Sequence, residues 1–328
     1  MRGGDAFPVE GHIYPVFRNR GFMRTKISYV RMRVLIIGLC ILCIQSTTLF
    51  AEDNSQSAIQ REVQKTERKE NTGSRFTIYG DIAGRINPQG ISFFGGVNYR
   101  NVYRYSEKYD TENAYWQTGL GIGVSPAYGQ AGVHIEWMPW RFLPLRVQYD
   151  YYRFFGSQGS LLSFNSANAP FGDNVVKNRH DEEAASGNRI MFQPTLQMKV
   201  DRFMLRNQTD IAYYHFDGRG PYFLEQEYYT LLKDGDYLIS NRTQILYQAW
   251  QGRGGKTLFI GPYYEVTRAD AAQITQQKIG GILYGVPLDS IRGLDRPRLQ
   301  LKGGYHLQDP DRQGQLFIAF GMGVDFDL

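Results

Sequence analysis

The chain has 328 residues, 14% of them aromatic, with 23 Tyr, and a mean hydropathy of −0.42. Its one continuous apolar run, residues 34–44, is too short to cross a bilayer as a helix, which excludes a helical membrane protein. The pI near 9.0 comes from the first 51 residues: after Ala51, thirty Lys and Arg meet thirty Asp and Glu, and a neutral domain gives no electrostatic case for nucleic acid.

The first element is an export sequence starting at Met32. Arg31 and Arg33 form its charged entry, residues 34–44 its apolar centre and residues 45–51 its polar exit, with cleavage expected after Ala51. Residues 1–31 read as an upstream extension outside the native protein, the alternative being a long basic leader. The two cysteines, Cys40 and Cys43, follow Leu39 and Leu42 rather than the small residue that a lipoprotein anchor needs. The rest of the chain has no cysteine for a disulfide, a thiolate metal site or a nucleophile. Residues 52–74 are polar and read as a periplasmic lead-in.

From Arg75 the chain alternates with a period of two, the pattern of strands with one apolar and one polar face. Phe76, Ile78, Ile82 and Ile86 lie opposite Asp81 and Arg85. After a turn at 87–90, Ile91, Phe93, Val97, Tyr99, Tyr103 and Tyr105 lie opposite Asn98, Arg100 and Arg104. Trp116, Leu120, Ile122 and Val124 oppose Gln117, Gly119, Gly121 and Gly123; Val133, Ile135 and Trp137 oppose His134 and Glu136. Leu145, Val147, Tyr149 and Tyr151 oppose Arg146, Gln148 and Asp150. A long polar stretch, 154–188, interrupts. Ile190, Phe192, Leu196, Met198 and Val200 then oppose Arg189, Gln193, Gln197 and Lys199. Beyond a tight turn at Asp201 and Arg202, Phe203, Leu205, Ile211 and Tyr213 oppose Arg206, Gln208 and Asp210. A second long stretch, 217–236, follows. Tyr237, Ile239, Ile245 and Tyr247 oppose Arg242, Gln244 and Gln248; Leu258, Ile260, Tyr264 and Val266 oppose Glu265. Residues 275–287 form the weakest strand, because Gly280, Gly281 and Gly285 blur its phase. Leu299, Leu301, Tyr305 and Leu307 oppose Arg298, Gln300, Lys302 and His306.

The last stretch, 315–328, is the clearest. Leu316, Ile318, Phe320, Met322, Val324, Phe326 and Leu328 are apolar at every second position, against small or acidic residues between them. A soluble edge strand this long and greasy would aggregate; in a bilayer it is stable if it closes a barrel. It resembles the closing strand of bacterial outer-membrane β-barrel proteins. That resemblance implies an outer-membrane location, recognition of residues 315–328 by the barrel-assembly machinery, and contact with outer-membrane lipid and lipopolysaccharide. The fold expected for residues 75–328 is all-β, a transmembrane antiparallel up-and-down barrel of about twelve strands, and a monomer.

Loop lengths orient it. Outer-membrane barrels have short inner turns and long outer loops. Both long stretches follow odd strands, five and seven, and the tight turn at 201–202 follows strand six. One misfit is the connection 107–113 after strand two, longer than an inner turn should be. In this orientation Tyr149, Tyr151, Tyr213 and Tyr237 fall at the outer rim. Tyr103, Tyr105, Trp116, Trp137, Tyr247 and Phe326 fall at the inner rim, forming two aromatic girdles.

The opposite face then lines the lumen with Asp81, Arg85, Arg100, Arg104, Glu136, Arg146, Asp150, Lys199, Arg206, Asp210, Arg242, Glu265 and Lys302. Twelve strands enclose a bore between a filled eight-strand barrel and an open sixteen-strand porin. Three functions stay open: a passive channel for small polar or anionic solutes, a plugged barrel that binds surface partners through 154–188 and 217–236, or a lipid-modifying hydrolase. The first two are non-enzymatic and no cofactor is expected. A hydrolase needs a Ser, a His and an orienting Asn or Asp on one patch; His134 and His306 fall on the lumen face, and His180 and His215 in or beside loops.

Other apparent motifs have plain readings. The Gly119, Gly121 and Gly123 run is a strand with a small lumen face, not a nucleotide loop. His180, Asp181, Glu182 and Glu183 read as a solvated loop tip, and residues 233–236 as a turn. Asn207-Gln208-Thr209 and Asn241-Arg242-Thr243 match glycosylation spacing, which has no meaning in a bacterial barrel.

Overall fold

The computed structural model describes residues 72–106, 111–158, 160–252, 256–286 and 295–327. The export sequence, the upstream extension and all but the last three residues of the polar lead-in lie outside the described residues. Fifteen strands and one short helix follow in order: β1 Gly73–Ile86, β2 Gly90–Ser106, β3 Thr111–Val124, β4 Tyr128–Met138, β5 Leu145–Phe154, β6 Ser163–Phe164, α1 Asp173–Lys177, β7 Ser186–Val200, β8 Phe203–Phe216, β9 Tyr222–Glu225, β10 Thr230–Lys233, β11 Tyr237–Gln251, β12 Thr257–Ala269, β13 Ile274–Val286, β14 Asp295–Gln308 and β15 Leu316–Asp327.

Twelve of the strands close an antiparallel barrel in the order β1-β15-β14-β13-β12-β11-β8-β7-β5-β4-β3-β2. Every barrel neighbour is the next barrel strand in sequence, and β1 pairs with β15 from Thr77 opposite Asp327 to Ile86 opposite Ile318. Closure removes the free edges that would aggregate in water or stay unbonded in lipid.

Exposure fixes which way the faces look. Ile122 is 69% exposed, Ile135 63% and Leu120 59%, whereas Gln117 and His134 on the same strands are 5% and 4% exposed. A soluble barrel would reverse this, with its Ile and Leu at the centre. The chain is a transmembrane barrel of the bacterial outer-membrane type, apolar outside and polar within. The rims carry the expected aromatics on the outer surface: Tyr149, Tyr151, Tyr213 and Tyr237 at one end, Tyr103, Trp116, Trp137 and Tyr247 at the other.

Strand lengths depart from the sequence reading in three places. β2 and β3 run further than expected and leave only residues 107–110 between them, which removes the misfit of an overlong inner turn. β1 starts at Gly73, two residues into the expected lead-in. The glycine-blurred strand is a full one, β13, paired along 13 positions with β12.

The glycines of β3 give one wall room for aromatic rings. Tyr79 of β1 lies across Gly96 and Gly121, where an added Cβ would come within 2.7 and 2.8 Å of its hydroxyl. Gly96 of β2 and Gly121 thus leave room for the Tyr79 ring, and Gly123 for that of Phe94.

Candidate functional site

The two long stretches expected to be polar outer loops fold differently. Parts of them form a second, three-stranded sheet in the order β10-β9-β6. Their apolar residues Leu161, Leu162, Phe164, Phe171, Phe223, Leu224, Leu231 and Leu232 are buried. They form one core with lumen-facing residues from the outer half of the barrel, among them Tyr152, Phe154, Tyr214, Phe216, Leu238 and Ile274. The physical reason is water exclusion: wall positions such as Tyr214 and Leu238 face inward and need an apolar partner there, which the loops supply.

The turn between β9 and β10 goes deepest. Tyr228 donates its hydroxyl hydrogen to Asp210 Oδ2 at 2.6 Å, six residues below the outer end of β8. Arg85 donates to the carbonyl oxygens of Gln226 and Glu227. The Tyr229 carbonyl accepts from Gln276 Nε2 and from Arg312, both at 3.0 Å. These bonds hold Tyr229 in a left-handed conformation, φ 56°, that a bulky residue adopts only under constraint. The tip is thus a plug seated in the lumen rather than a loop above it.

Glu225, next to the tip, is 5% exposed. Burial, with Glu227 beside it, pushes its carboxyl up to about 7, against the backbone N–H groups of Tyr228 and Glu227 that favour its ionised form.

Most of the thirteen expected lumen residues point inward, and several are paired. Asp150 meets Arg189 at 2.8 Å, Arg242 meets Asp210, Glu265 meets Lys278 at 2.9 Å and Asp81 meets Arg298 at 3.4 Å. Arg100 bonds Gln117 at 2.6 Å and Glu112 at 2.9 Å. Arg146 approaches Glu136 only to 4.0 Å. Arg206 donates to Gln208 at 2.9 Å; Lys199 and Lys302 lie over the rings of Phe259 and Tyr263. Arg104 differs: it stands exposed at the inner rim, where bulges shift the β2–β3 register. Arg189, Arg298, Lys278, Glu112, Asp325 and Glu227 also carry charge in the lumen and were not among the thirteen; Arg298 pairs with Asp325 at 3.1 Å. Alternation already sets Arg189 and Arg298 opposite the apolar face of their strands. Lys278 sits in the glycine-blurred strand, and Glu227 lies in the plug, where no phase applies.

Two cavities remain beside the plug. One of about 640 Å³ opens at the outer rim between Gln89 and Ser125 and runs down past Arg85 to Lys302 and Glu227. The other, about 320 Å³, lies deeper, against Tyr79, His134, Arg146, Arg189 and Arg242. Both touch Phe94 and Glu227, so they meet at the tip. Their charged lining is Arg85, Lys302, Arg146, Arg189 and Arg242 against Asp150 and Glu227. Among the described residues, Arg85 and Lys302 form no ion pair with a carboxylate, and the lining of the two cavities holds more cations than carboxylates.

Among the described residues, the histidines lie in separate surroundings. His134 is buried in the lumen beside Gln117, and His306 is fully buried near Asp309, 3.5 Å away. His215 lies on the outer surface between Asp234 at 2.8 Å and Asp217 at 3.6 Å. Among the described residues, no serine hydroxyl bonds a histidine ring, and no cluster of three or more His, Cys, Asp or Glu could hold a metal ion. Asp181 is 63% exposed and pairs with Arg179, as a solvated tip would, but Glu183 is not part of one: it bridges Leu161 and accepts from the Arg219 N–H at 2.8 Å.

No protein-family model matches the chain, and no curated protein matches it in sequence. Among solved structures it is similar to the beta domain of the Bordetella autotransporter Brka, at 9% identity and a TM-score of 0.40, over 77% of this chain and 99% of that one. It is also similar to the translocator domain of the autotransporter NalP from Neisseria meningitidis, at 11% identity and a TM-score of 0.37, over 81% and 92%. A third is LpxR from Salmonella typhimurium, at 8% identity and a TM-score of 0.36, over 76% and 99%.

Proposed function

We propose that the chain is an outer-membrane barrel that gives narrow, passive passage to small anionic solutes, throttled by its own inward-folded loops. The observation that carries this is the pair of cavities meeting at Glu227, with five cations against two carboxylates along their lining. A positive, partly desolvated constriction concentrates anions and repels cations. The apolar band, the two girdles and the C-terminal closing strand support the bacterial outer membrane as its location. The same features support contact with outer-membrane lipid and lipopolysaccharide, and assembly through 315–328.

Planar-bilayer recording of refolded protein across a salt gradient tests the reading. A small conductance whose reversal potential favours anions is expected, with the preference reduced in Arg85→Gln and Lys302→Gln. A lumen that carries no current overturns it.

The plug's own apolar core supports a second reading, a closed scaffold that presents the ordered loop sheet to surface partners. Zero conductance together with a binding phenotype lost on removing 217–236 would favour that reading.

A further inference from the structure

The outer wall carries polar side chains where lipid should meet only hydrocarbon. Between β8 and β11 the outward-facing pairs run, from outer to inner rim, Tyr213 with Tyr237, Ile211 with Ile239, Thr209 with Asn241, Asn207 with Thr243, Leu205 with Ile245 and Phe203 with Tyr247. The two aromatic pairs mark the girdles, their ring centroids 5.2 and 5.3 Å apart. The two polar pairs are the middle rungs of the four between them, so they sit at the centre of the bilayer.

These are the two Asn-x-Thr runs of the sequence. On a strand that spacing puts both side chains on one face, and antiparallel pairing sets each Asn against a Thr. Asn207 Nδ2 donates to Asn241 Oδ1 at 3.0 Å and to Thr243 Oγ1 at 2.8 Å. Asn241 Nδ2 donates to Asn207 Oδ1 at 3.1 Å and to Thr209 Oγ1 at 2.8 Å. The stripe extends along the wall: Tyr264, in register with Thr243, donates its hydroxyl hydrogen to Gln277 Oε1 at 3.2 Å. Beside it the outward positions Pro262, Gly281 and Gly303 leave a shallow dent.

The four side chains satisfy one another within the wall, Thr243 Oγ1 also donating to Asn241 Oδ1 at 3.3 Å, but lipid tails offer them no further hydrogen bond. Acyl chains would be better matched by the Leu and Ile found on the flanking rungs. The patch carries no charge, so a lipid headgroup is a poor match for it. Within one barrel both Asn amides spend both hydrogens, which leaves the Thr209 hydroxyl hydrogen and the acceptor oxygens to meet the same groups of a second copy across a two-fold axis.

We propose that this face is where a second copy of the chain docks, with the Asn207–Thr243 and Thr209–Asn241 rungs of the two barrels apposed at mid-bilayer. The Thr209 hydroxyl and the acceptor oxygens bond across the interface, and the dent at Gly281 and Gly303 lets the walls approach, as small residues do between membrane helices. The dimer replaces the monomer expected from the sequence. It depends on the membrane faces and not on conduction, so it stands or falls separately from the channel reading.

Sedimentation equilibrium of the refolded full chain in density-matched detergent micelles tests it, with fold checked by heat-modifiable gel migration. Wild type is expected to form dimers. Asn207→Leu/Asn241→Leu is expected to weaken association by about tenfold or more, while Val133→Thr on the far wall leaves it unchanged. If the double variant fails to fold, Thr209→Val and Thr243→Val, which keep side-chain shape, take its place. A wild-type chain that stays monomeric at every protein-to-micelle ratio, or variants that associate as tightly as wild type, would overturn the proposal.

Discussion

Tyr228→Phe removes one oxygen and nothing else from the deepest point of the plug. Its hydroxyl bonds Asp210, and both residues are buried, at 5% and 1% exposure. Asp210 keeps Arg242, Gln193 at 2.6 Å and Gln208 at 3.0 Å, so no carboxylate is left bare. The loss is therefore that of one hydrogen bond to a charged group, about 1.5–3 kcal/mol. If the tip docks as a unit, the ratio of undocked to docked plug rises by about ten- to hundredfold. Single-channel recording reads this directly as more frequent openings to a larger conductance state. The barrel strands keep all their ladders, so urea denaturation should show little change. Openings as rare as in wild type would mean that the tip does not gate the lumen.

Arg189→Met gives the opposite division. Its guanidinium joins buried Asp150 to half-exposed Glu227. Losing the buried partner should cost about 3–5 kcal/mol of barrel stability, and losing the exposed one about 0–1 kcal/mol of plug docking. Urea midpoints should fall sharply with only a modest rise in openings, and Arg189→Met/Asp150→Asn should recover most of the stability. Position on the wall matters as much as chemistry. Leu120→Arg, midway up the lipid face, should destabilise by about 2–4 kcal/mol, whereas Gln130→Arg, in the deeper cavity, should fold normally and strengthen anion preference. Equal costs would invert the assigned faces. Conductance should also depend on pH through Glu225. Its carboxyl is raised to about 7 in the folded plug, above its unfolded value, so docking is fully stabilised below about pH 4.5 and weakens as pH rises through 7. Openings should increase from pH 5 to pH 8, and Glu225→Gln should flatten the profile.

The barrel was legible because one rule repeats along it. Alternation in β15 or β3 needs only neighbouring residues, and lipid enforces the apolar phase at each rung. The plug was not legible, because its apolar residues come in short pieces without a period. Leu161-Leu162, Phe223-Leu224 and Leu231-Leu232 read singly as noise in polar loops. Their partners, Tyr214 and Leu238, carry no sign in the sequence that they await a loop. The lumen list shows the same boundary. Asp150 and Asp210 followed from phase alone. Phase failed for Arg104, because a bulge resets the register, and could not reach Glu227, which a tertiary fold brings in.

The exceptions to the barrel's polarity locate its specific features. A uniform barrel would be apolar on every outward rung and polar on every inward one. Inward, the rule breaks twice: Tyr152, Phe154, Tyr214, Phe216 and Leu238 are covered by the plug, whereas Leu246, Phe259, Tyr263, Ile282 and Phe317 cover one another. The first five cost the barrel little only because Leu231, Phe223 and their neighbours shield them, so undocking the plug must expose them to water. That gives the closed state an apolar driving force beyond the hydrogen bonds of its tip. Outward, the rule breaks at Asn207, Thr209, Asn241 and Thr243, where the structure has no cover. These four groups bond one another, and the proposed second copy covers them from the lipid.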